Sequence, residues 1–200
     1  MALENKRPVL IVVAGPNGSG KTSVTSQILH HQWLEDSVYI NPDMVAQEVF
    51  GDWNSYDAVV KAAQYCQQWR EKCLAERQSL IFETVLSGDD KVDYIERAVD
   101  AGFFVRLFFV CTISPTINAA RIANRVMKGG HDVPINKIVS RYQKSILNCK
   151  YLVDVVDRVY LYDNSIENAD ARIVARFADA GEFGKQYVDE LPRWAQYICG

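Results

Sequence analysis

The chain has 200 residues, of which 48% are hydrophobic and 24% charged, and this composition is typical of a globular domain long enough to bury one core. Its formal net charge of -3 at pH 7 argues against a protein that mainly coats nucleic acid, because such proteins are basic on at least one face. The longest apolar runs, 9–14 and 102–113, are too short to span a bilayer, so we expect neither nucleic acid nor a membrane as a partner.

Along the chain, short apolar runs alternate with segments of helical periodicity. Five strands alternating with helices predict a single α/β domain over 1–200, with a parallel sheet and helices on both of its faces. No structure is assigned after Gly184. The predicted strands cover 9–14, 37–40, 79–82, 103–111 and 158–162. The predicted helices cover 21–31, 44–50, 56–77, 91–101, 115–127, 134–152 and 168–180.

A glycine-rich loop lies between the first predicted strand and the first predicted helix. Positions 15–22 read GPNGSGKT and match the full P-loop pattern GxxxxGK[ST] in that setting. Backbone N–H groups of such a loop and the positive end of its helix bind phosphate, while Lys21 adds a charge and Thr22 offers a hydroxyl to Mg²⁺. The predicted nucleotide-binding residues are Gly15, Pro16, Asn17, Gly18, Ser19, Gly20, Lys21, Thr22 and Ser23.

The P-loop also refines the expected fold. P-loop kinases of this size are three-layer sandwiches, and by that analogy we expect a five-stranded parallel sheet in the order 2-3-1-4-5 with a helical lid. The run over 9–14 is the least polar of the predicted strands, which favours a place at the centre of the sheet.

An aspartate follows the second predicted strand. Functional groups gather beyond the carboxyl ends of parallel strands, so Asp43 in Asn41-Pro42-Asp43 is expected at the same sheet edge as the P-loop. Its carboxylate can accept the proton of an attacking hydroxyl or hold a water on Mg²⁺. The alternative is a structural role as the N-cap of the helix predicted over 44–50.

Polar side chains also follow the third predicted strand. Glu83, Thr84 and Ser87 offer a carboxylate and two hydroxyls there, which suits recognition of a polar substrate or of a water on magnesium. The alternative is a polar turn between strand and helix, with Ser87 as a helix cap.

Cations cluster around a connection that contains two glycines, Gly129 and Gly130. Arginines on such a segment can close over a triphosphate and neutralise charge on the transferring group, so 121–141 is predicted to be a lid. The alternative is a pair of solvated helices with ordinary surface arginines. The cluster consists of Arg121, Arg125, Lys128, His131, Lys137, Arg141 and Lys144.

The cysteines and the first residues indicate a compartment. The five cysteines are odd in number and contain no CxxC pair, which argues against a disulfide framework or a zinc site. Residues 1–8 are charged and polar and lack the apolar core of a signal peptide. We therefore expect reduced thiols in a cytoplasmic protein.

The ordered combination of these motifs resembles the zeta-toxin family of P-loop kinases, and more closely its small single-domain bacterial branch. The likeness runs from about 9 to 162 and includes GPNGSGKT at 15–22, NPD at 41–43, Glu83-Thr84 with Ser87, RVxxGGHxVP at 125–134, and Arg141-Tyr142. Many enzymes share the P-loop, whereas its ordered combination with the GGHxVP segment is much more specific.

The resemblance implies a kinase that uses ATP or GTP with Mg²⁺. Zeta toxins phosphorylate a sugar hydroxyl of UDP-N-acetylglucosamine, so a nucleotide sugar is a candidate acceptor, and an antitoxin protein is a candidate partner. The matched motifs imply that Lys21 and Thr22 hold phosphate and metal, and that Asp43 is the general base. They further imply that Glu83 and Thr84 face the acceptor and that Arg125 binds the γ-phosphate. Arg141 is the second lid arginine by this match, with Arg121 and His131 as alternatives.

Two other functions compete with a small-molecule kinase. An NTPase would hydrolyse its nucleotide to drive a conformational change, but the sequence lacks a hydrophobic strand that ends in aspartate followed by a catalytic glutamate, and Phe82-Glu83 comes closest. A non-catalytic nucleotide-binding partner protein would not need Lys21, Thr22 and Asp43 together.

Overall fold

The computed structural model describes residues 7–28, 37–50, 56–130 and 132–200, without the side chains of Asp43 and Tyr56. His131 lies outside the described residues. The strands are β1 (Val9–Ala14), β2 (Val38–Ile40), β3 (Leu80–Thr84), β4 (Phe104–Cys111), β5 (Arg158–Asp163), β6 (Arg172–Ala178) and β7 (Glu182–Gln186). The helices are α1 (Lys21–Ile28), α2 (Pro42–Phe50), α3 (Tyr56–Ala75), α4 (Asp89–Asp100), α5 (Pro115–Met127), α6 (Ile135–Val153) and α7 (Arg193–Cys199).

The sheet has the predicted order for its parallel part, β2-β3-β1-β4-β5. The strand at its centre is β1, whose residues from Leu10 to Ala14 are all 0% exposed. A strand with neighbours on both sides and helices on both faces has no polar positions, which is why its sequence is continuously apolar. The predicted central position of the P-loop strand is confirmed.

Helices cover the sheet in two layers, and together with the sheet they form the predicted three-layer sandwich. The larger core packs alternate β1 residues, Leu10 and Val12, against α3, α4, α6 and α7. The smaller core lies on the opposite face, where Ile11 and Val13 meet Val24 of α1. Alternate residues of one strand therefore belong to different cores, as the pleat of a strand requires.

The number of strands and the region after β5 need correction. The sheet has seven strands in the described residues, because β6 and β7 add an antiparallel hairpin next to β5. The helix predicted over 168–180 is wrong, since this segment forms β6. Its Ala175 and Phe177 pair with Leu161 and Val159 of β5 and are buried there. Tertiary pairing thus overrides the helical preference of an alanine-rich segment.

Two further expectations concern the thiols and the membrane. No disulfide joins the five cysteines, and four of them are buried. Burial raises the pKa of Cys111 to about 12, so its thiol stays protonated at neutral pH and is a poor nucleophile. Among the described residues, no helix combines the length and the apolar character that a membrane span requires.

Candidate active site

The P-loop connects the carboxyl end of β1 to the first turn of α1. A turn closes it, with Ser19 N donating to Pro16 O at 3.2 Å. The ammonium of Lys21 folds back over the loop and donates to Gly15 O at 2.9 Å and Pro16 O at 3.2 Å. The positive end of α1 and the lysine charge therefore meet at one place, which is the arrangement that binds a phosphate chain.

Two asparagine side chains donate hydrogen bonds to carbonyl groups of the P-loop. Asn118 of α5 donates through Nδ2 to Asn17 O at 2.7 Å, and Asn164 donates through Nδ2 to Ser19 O at 2.8 Å. The approach is close enough that a Cβ at Gly18 would lie 2.6 Å from Asn118 O, and one at Gly20 would lie 2.1 Å from Asn164 Nδ2. Both positions also have positive φ, so they require glycine.

Donor groups test whether the loop suits a phosphate group. Lys21 and Thr22 line an open cleft together with Gly18 and Gly20. The Lys21 ammonium and the Thr22 hydroxyl are hydrogen-bond donors, so the loop fits a ligand rich in acceptor oxygens, such as a phosphate chain. Ser19 does not line this cleft, and its side chain is buried.

A second polar group lies beside the start of α1. Glu83 pairs with Val13 in the β3–β1 register, so it lies at the strand end that leads into the P-loop. Its Oε2 accepts from Thr22 Oγ1 at 3.3 Å, and its Oε1 accepts from Tyr39 OH at 2.8 Å. Tyr39 OH in turn accepts from Asn41 Nδ2 at 2.8 Å.

This group suits a magnesium ion that is shared with phosphate. Mg²⁺ prefers oxygen ligands and is held in nucleotide sites by one or two protein groups together with phosphate oxygens and water. The hydroxyl of Thr22 and the carboxylate of Glu83, which lie beside the start of α1, can supply such protein ligands. The described residues contain no group of three or more His, Cys, Asp or Glu side chains that would hold a metal ion without such help.

A single open cleft of about 810 Å³ joins these groups to the rest of the predicted site. The P-loop, the arginines of the predicted lid, the turn after β3 and α3 all contribute to its lining. Its predicted site residues are Asn17, Gly18, Gly20, Lys21, Thr22, Glu83, Thr84, Ser87, Arg121, Arg125 and Arg141. Its other lining residues are Asn41, Pro42, Val59, Ala63, Val85, Leu86, Gly88, Asp90, Lys91 and Ile122.

The remaining predicted P-loop residues take supporting places. Gly15 N donates to Thr84 O at 3.2 Å, which ties the start of the loop to the end of β3. Pro16 contributes its carbonyl to the lysine and to the turn, and Ser23 is exposed on α1.

The predicted lid consists of the end of α5, the glycine connection and the start of α6. Ser114 caps α5 by accepting from Thr116 N, as its Ser-Pro sequence indicates. Arg125 packs against the connection, since a Cβ at Gly130 would lie 2.6 Å from its Cγ. From the other helix, Arg141 Nη1 donates to Asn17 Oδ1 at 3.3 Å. The lid and the P-loop are therefore in direct contact.

The turn after β3 also lines the cleft. Leu86 is buried there with a φ of 56°, and α6 holds the turn through Asn148 Nδ2, which donates to Leu86 O at 3.0 Å. The next helix, α4, has Gly88 at its N-cap and no side-chain cap bond. Ser87 thus lines the cleft and is not the helix cap.

The backbone position of Asp43 excludes it as the N-cap of α2. Helix α2 begins at Pro42, and Val45 N donates to Asn41 O at 3.0 Å. The N-cap position therefore belongs to Asn41, and Asp43 is the second residue of the helix. Its neighbours Asn41 and Pro42 line the cleft.

Sequence reasoning missed three residues that contact this site. Asn118 and Asn164 looked like ordinary polar residues of a helix and a loop, and Tyr39 looked like an apolar strand residue. A polar residue on the buried side of an amphipathic helix is a usable signal for Asn118, since its side chain is 0% exposed. Tyr39 offers no such signal.

Comparisons with known proteins bear on the fold and on the family of this chain. An uncharacterized protein of Haemophilus influenzae is 28% identical over 134 residues, which are 66% of this chain and 91% of that protein. A structure of AvrRxo1-ORF1:AvrRxo1-ORF2 with sulphate ions has a TM-score of 0.70 at 15% identity. The match covers 98% of this chain and 65% of that chain, so this chain spans less than two thirds of its length.

A structure of the PezAT chromosomal toxin–antitoxin system of Streptococcus pneumoniae has a TM-score of 0.63 at 17% identity, covering 97% of this chain and 84% of that chain. At such identities the two structural matches establish the fold alone. The family model for zeta toxin matches residues 2–171, which include the P-loop, the cleft and both lid helices. The chain therefore belongs to the zeta toxin family.

Proposed function

We propose that this protein is a kinase that transfers the γ-phosphoryl group of ATP or GTP to a hydroxyl of a small molecule. The observation that carries the proposal is one cleft that is lined by the P-loop, by the arginines of the predicted lid and by the polar turn after β3. Membership of the zeta toxin family supports the same conclusion.

The P-loop residues bind the triphosphate in this proposal. The Lys21 ammonium exchanges its hydrogen bonds to the carbonyls of Gly15 and Pro16 for bonds to the β- and γ-phosphates. The phosphates are the stronger acceptors because they carry negative charge, whereas the carbonyls are neutral. Thr22 and Glu83 hold Mg²⁺ together with phosphate oxygens. The bound ion supplies charge neutralisation to those oxygens.

Transfer then needs a base for the acceptor hydroxyl and a leaving group that is stable as an anion, which is the nucleoside diphosphate. Asp43 accepts the proton of the acceptor hydroxyl as its oxygen bonds to the γ-phosphorus, and the bond from that phosphorus to the β,γ-bridging oxygen breaks. The products are a phosphorylated acceptor and a nucleoside diphosphate. Arg125 and Arg141 stabilise the charge that develops during the transfer, with Arg121 in a supporting position.

The acceptor binds in the part of the cleft that Thr84 and Ser87 line. The two hydroxyls and nearby backbone groups suit a polar, hydroxyl-rich molecule, and family membership makes a nucleotide sugar such as UDP-N-acetylglucosamine the first candidate. His131 belongs to the same proposed substrate-binding set. One similar structure comes from a toxin–antitoxin system, which supports an antitoxin protein as a partner in the cytoplasm.

A labelling experiment tests the function. The protein is incubated with ATP labelled on the γ-phosphate, with and without a metabolite extract, and the label is followed. We expect transfer to a metabolite. Label released as inorganic phosphate in both samples would indicate an NTPase, and label that stays on ATP would indicate a binding protein.

The lid arginine gives a prediction of its own. Arg125→Ala should lower turnover by about tenfold to a hundredfold, while the ATP dissociation constant changes only a few-fold, because its charge is needed most in the transition state. Steady-state kinetics and calorimetry measure the two effects. Arg193→Ala on the exposed face of α7 is the matched control. Equal losses in turnover and ATP binding would contradict a transition-state role.

A further inference from the structure

A chain of hydrogen bonds leads from β2 to the predicted metal side of the cleft. Asn41 Nδ2 donates to Tyr39 OH, Tyr39 OH donates to Glu83 Oε1, and the other carboxylate oxygen accepts from Thr22 Oγ1. Each carboxylate oxygen of Glu83 thus has a different partner. The one on the Thr22 side faces the P-loop helix, and the one on the Tyr39 side faces away from it.

The ring of Tyr39 is held firmly enough to set the position of its hydroxyl. Tyr39 pairs with Ile81 in the β2–β3 register and packs against the smaller core, on the face of β3 that also carries Glu83 two residues later. A tyrosine has only two side-chain torsions, and packing of the ring fixes both of them. Its hydroxyl is therefore a fixed donor beside a more adaptable side chain.

Glu83 needs such a donor if its carboxylate is to bind Mg²⁺ beside Thr22. The terminal torsion of a glutamate is broad, so the carboxylate plane rotates easily unless both oxygens are held. Thr22 alone holds one oxygen, by a bond of 3.3 Å. The shorter bond of 2.8 Å from Tyr39 fixes the plane and keeps the second oxygen directed towards Thr22.

We propose that Tyr39 is a positioning residue that holds the Glu83 carboxylate in the orientation required to bind Mg²⁺ through Thr22 and Glu83. This inference rests on the proposed function, because it assumes that a magnesium–nucleotide complex binds at the P-loop. Through Tyr39, β2 then contributes to metal binding, in addition to placing Asp43 at the sheet edge. Partners that orient metal ligands typically change metal affinity by about tenfold to a hundredfold when removed.

The test uses Tyr39→Phe, which removes one hydroxyl and keeps the packed ring. Calorimetry measures binding of a non-hydrolysable ATP analogue over a series of Mg²⁺ concentrations. For Tyr39→Phe we expect the Mg²⁺ concentration that gives half of the maximal affinity for the analogue to rise about tenfold. Binding of the analogue in EDTA, which does not involve Mg²⁺, should be unchanged. Tyr151→Phe is the matched control, because Tyr151 OH also donates to a glutamate, Glu96, far along α6 from the P-loop.

A double-mutant cycle identifies the residue through which Tyr39 acts. In a Glu83→Gln background, Tyr39→Phe should produce no further change in Mg²⁺ dependence, because the oriented carboxylate is already absent. A purely structural role would lower the melting temperature without changing Mg²⁺ dependence, and that result would overturn the proposal. An equal shift in both backgrounds would overturn it as well.

The same titrations separate this inference from the proposed function. If Glu83→Gln weakens Mg²⁺-dependent binding and Tyr39→Phe does not, the metal site stands and the role of Tyr39 is wrong. If analogue binding to the unmodified protein does not depend on Mg²⁺, the proposed metal site and the role of Tyr39 both fail.

Discussion

Replacing Asp43 with Asn should lower the rate of phosphoryl transfer by about a hundredfold to ten-thousandfold, the usual contribution of a general base. A hydroxyl is a poor nucleophile at neutral pH, and an amide accepts a proton far less readily than a carboxylate. Asn has nearly the same size as Asp, so the variant should fold normally and still bind ATP. Rapid-quench measurement of a single turnover checks the chemical step, and calorimetry checks ATP binding.

The structure provides a matched control for this change. Asp43 is the second residue of α2, and Asp57 is the second residue of α3, where it pairs with Lys61. Both residues occupy the second position of a helix, where an acidic residue is favoured by the helix dipole. Asp57→Asn should therefore show the same small change in melting temperature with normal turnover. If Asp43→Asn transfers phosphate at the normal rate, the base lies elsewhere, and Glu83 is the next candidate.

Replacing Lys21 with Ala should reduce turnover by about a thousandfold or more and weaken ATP binding by roughly tenfold to a hundredfold. The change removes the charge that pairs with the β- and γ-phosphates, whereas the backbone cradle and its two asparagine supports remain. The larger effect on turnover follows because charge on the transferring group must be neutralised in the transition state.

The control for Lys21→Ala is Lys72→Ala, since the Lys72 side chain on α3 is 67% exposed and pairs only weakly with Glu76 at 3.9 Å. Circular dichroism should show that both variants keep the fold. Lys21→Ala also removes two bonds to loop carbonyls, so a modest loss of thermal stability is expected. Unchanged turnover would show that the P-loop does not serve phosphoryl transfer.

The sequence predicted the parallel part of the fold well because each strand there carries its own signal. β1 reads as a continuous apolar run, β4 as an apolar run interrupted only by Arg106, and the P-loop indicates which strand is central. The hairpin gave no such signal. All residues of β7 are exposed, so no alternation marks it, and β6 is rich in alanine and arginine, which favour helices.

The candidate site was predictable only as far as local motifs extend. The P-loop, Glu83 and the lid arginines were found because their chemistry follows from short patterns, and the structure brings them to one cleft. Asn118, Asn164 and Tyr39 were missed because their contacts depend on distant segments meeting in the fold. Polar residues of this kind acquire a function from their neighbours in space, which a single sequence does not reveal.

Because Asn118 and Asn164 bind the P-loop, the conformation of this loop depends on the fold of the whole domain. Their hydrogen bonds connect the P-loop to residues 101 and 145 positions away in the chain. Because the loop takes its shape when the segments after β4 and β5 dock, the entropy cost of ordering it is met during folding and not during nucleotide binding. Substitutions that loosen β5 and its neighbours will therefore weaken nucleotide affinity from a distance, and saturating nucleotide will in turn stabilise that far half of the sheet.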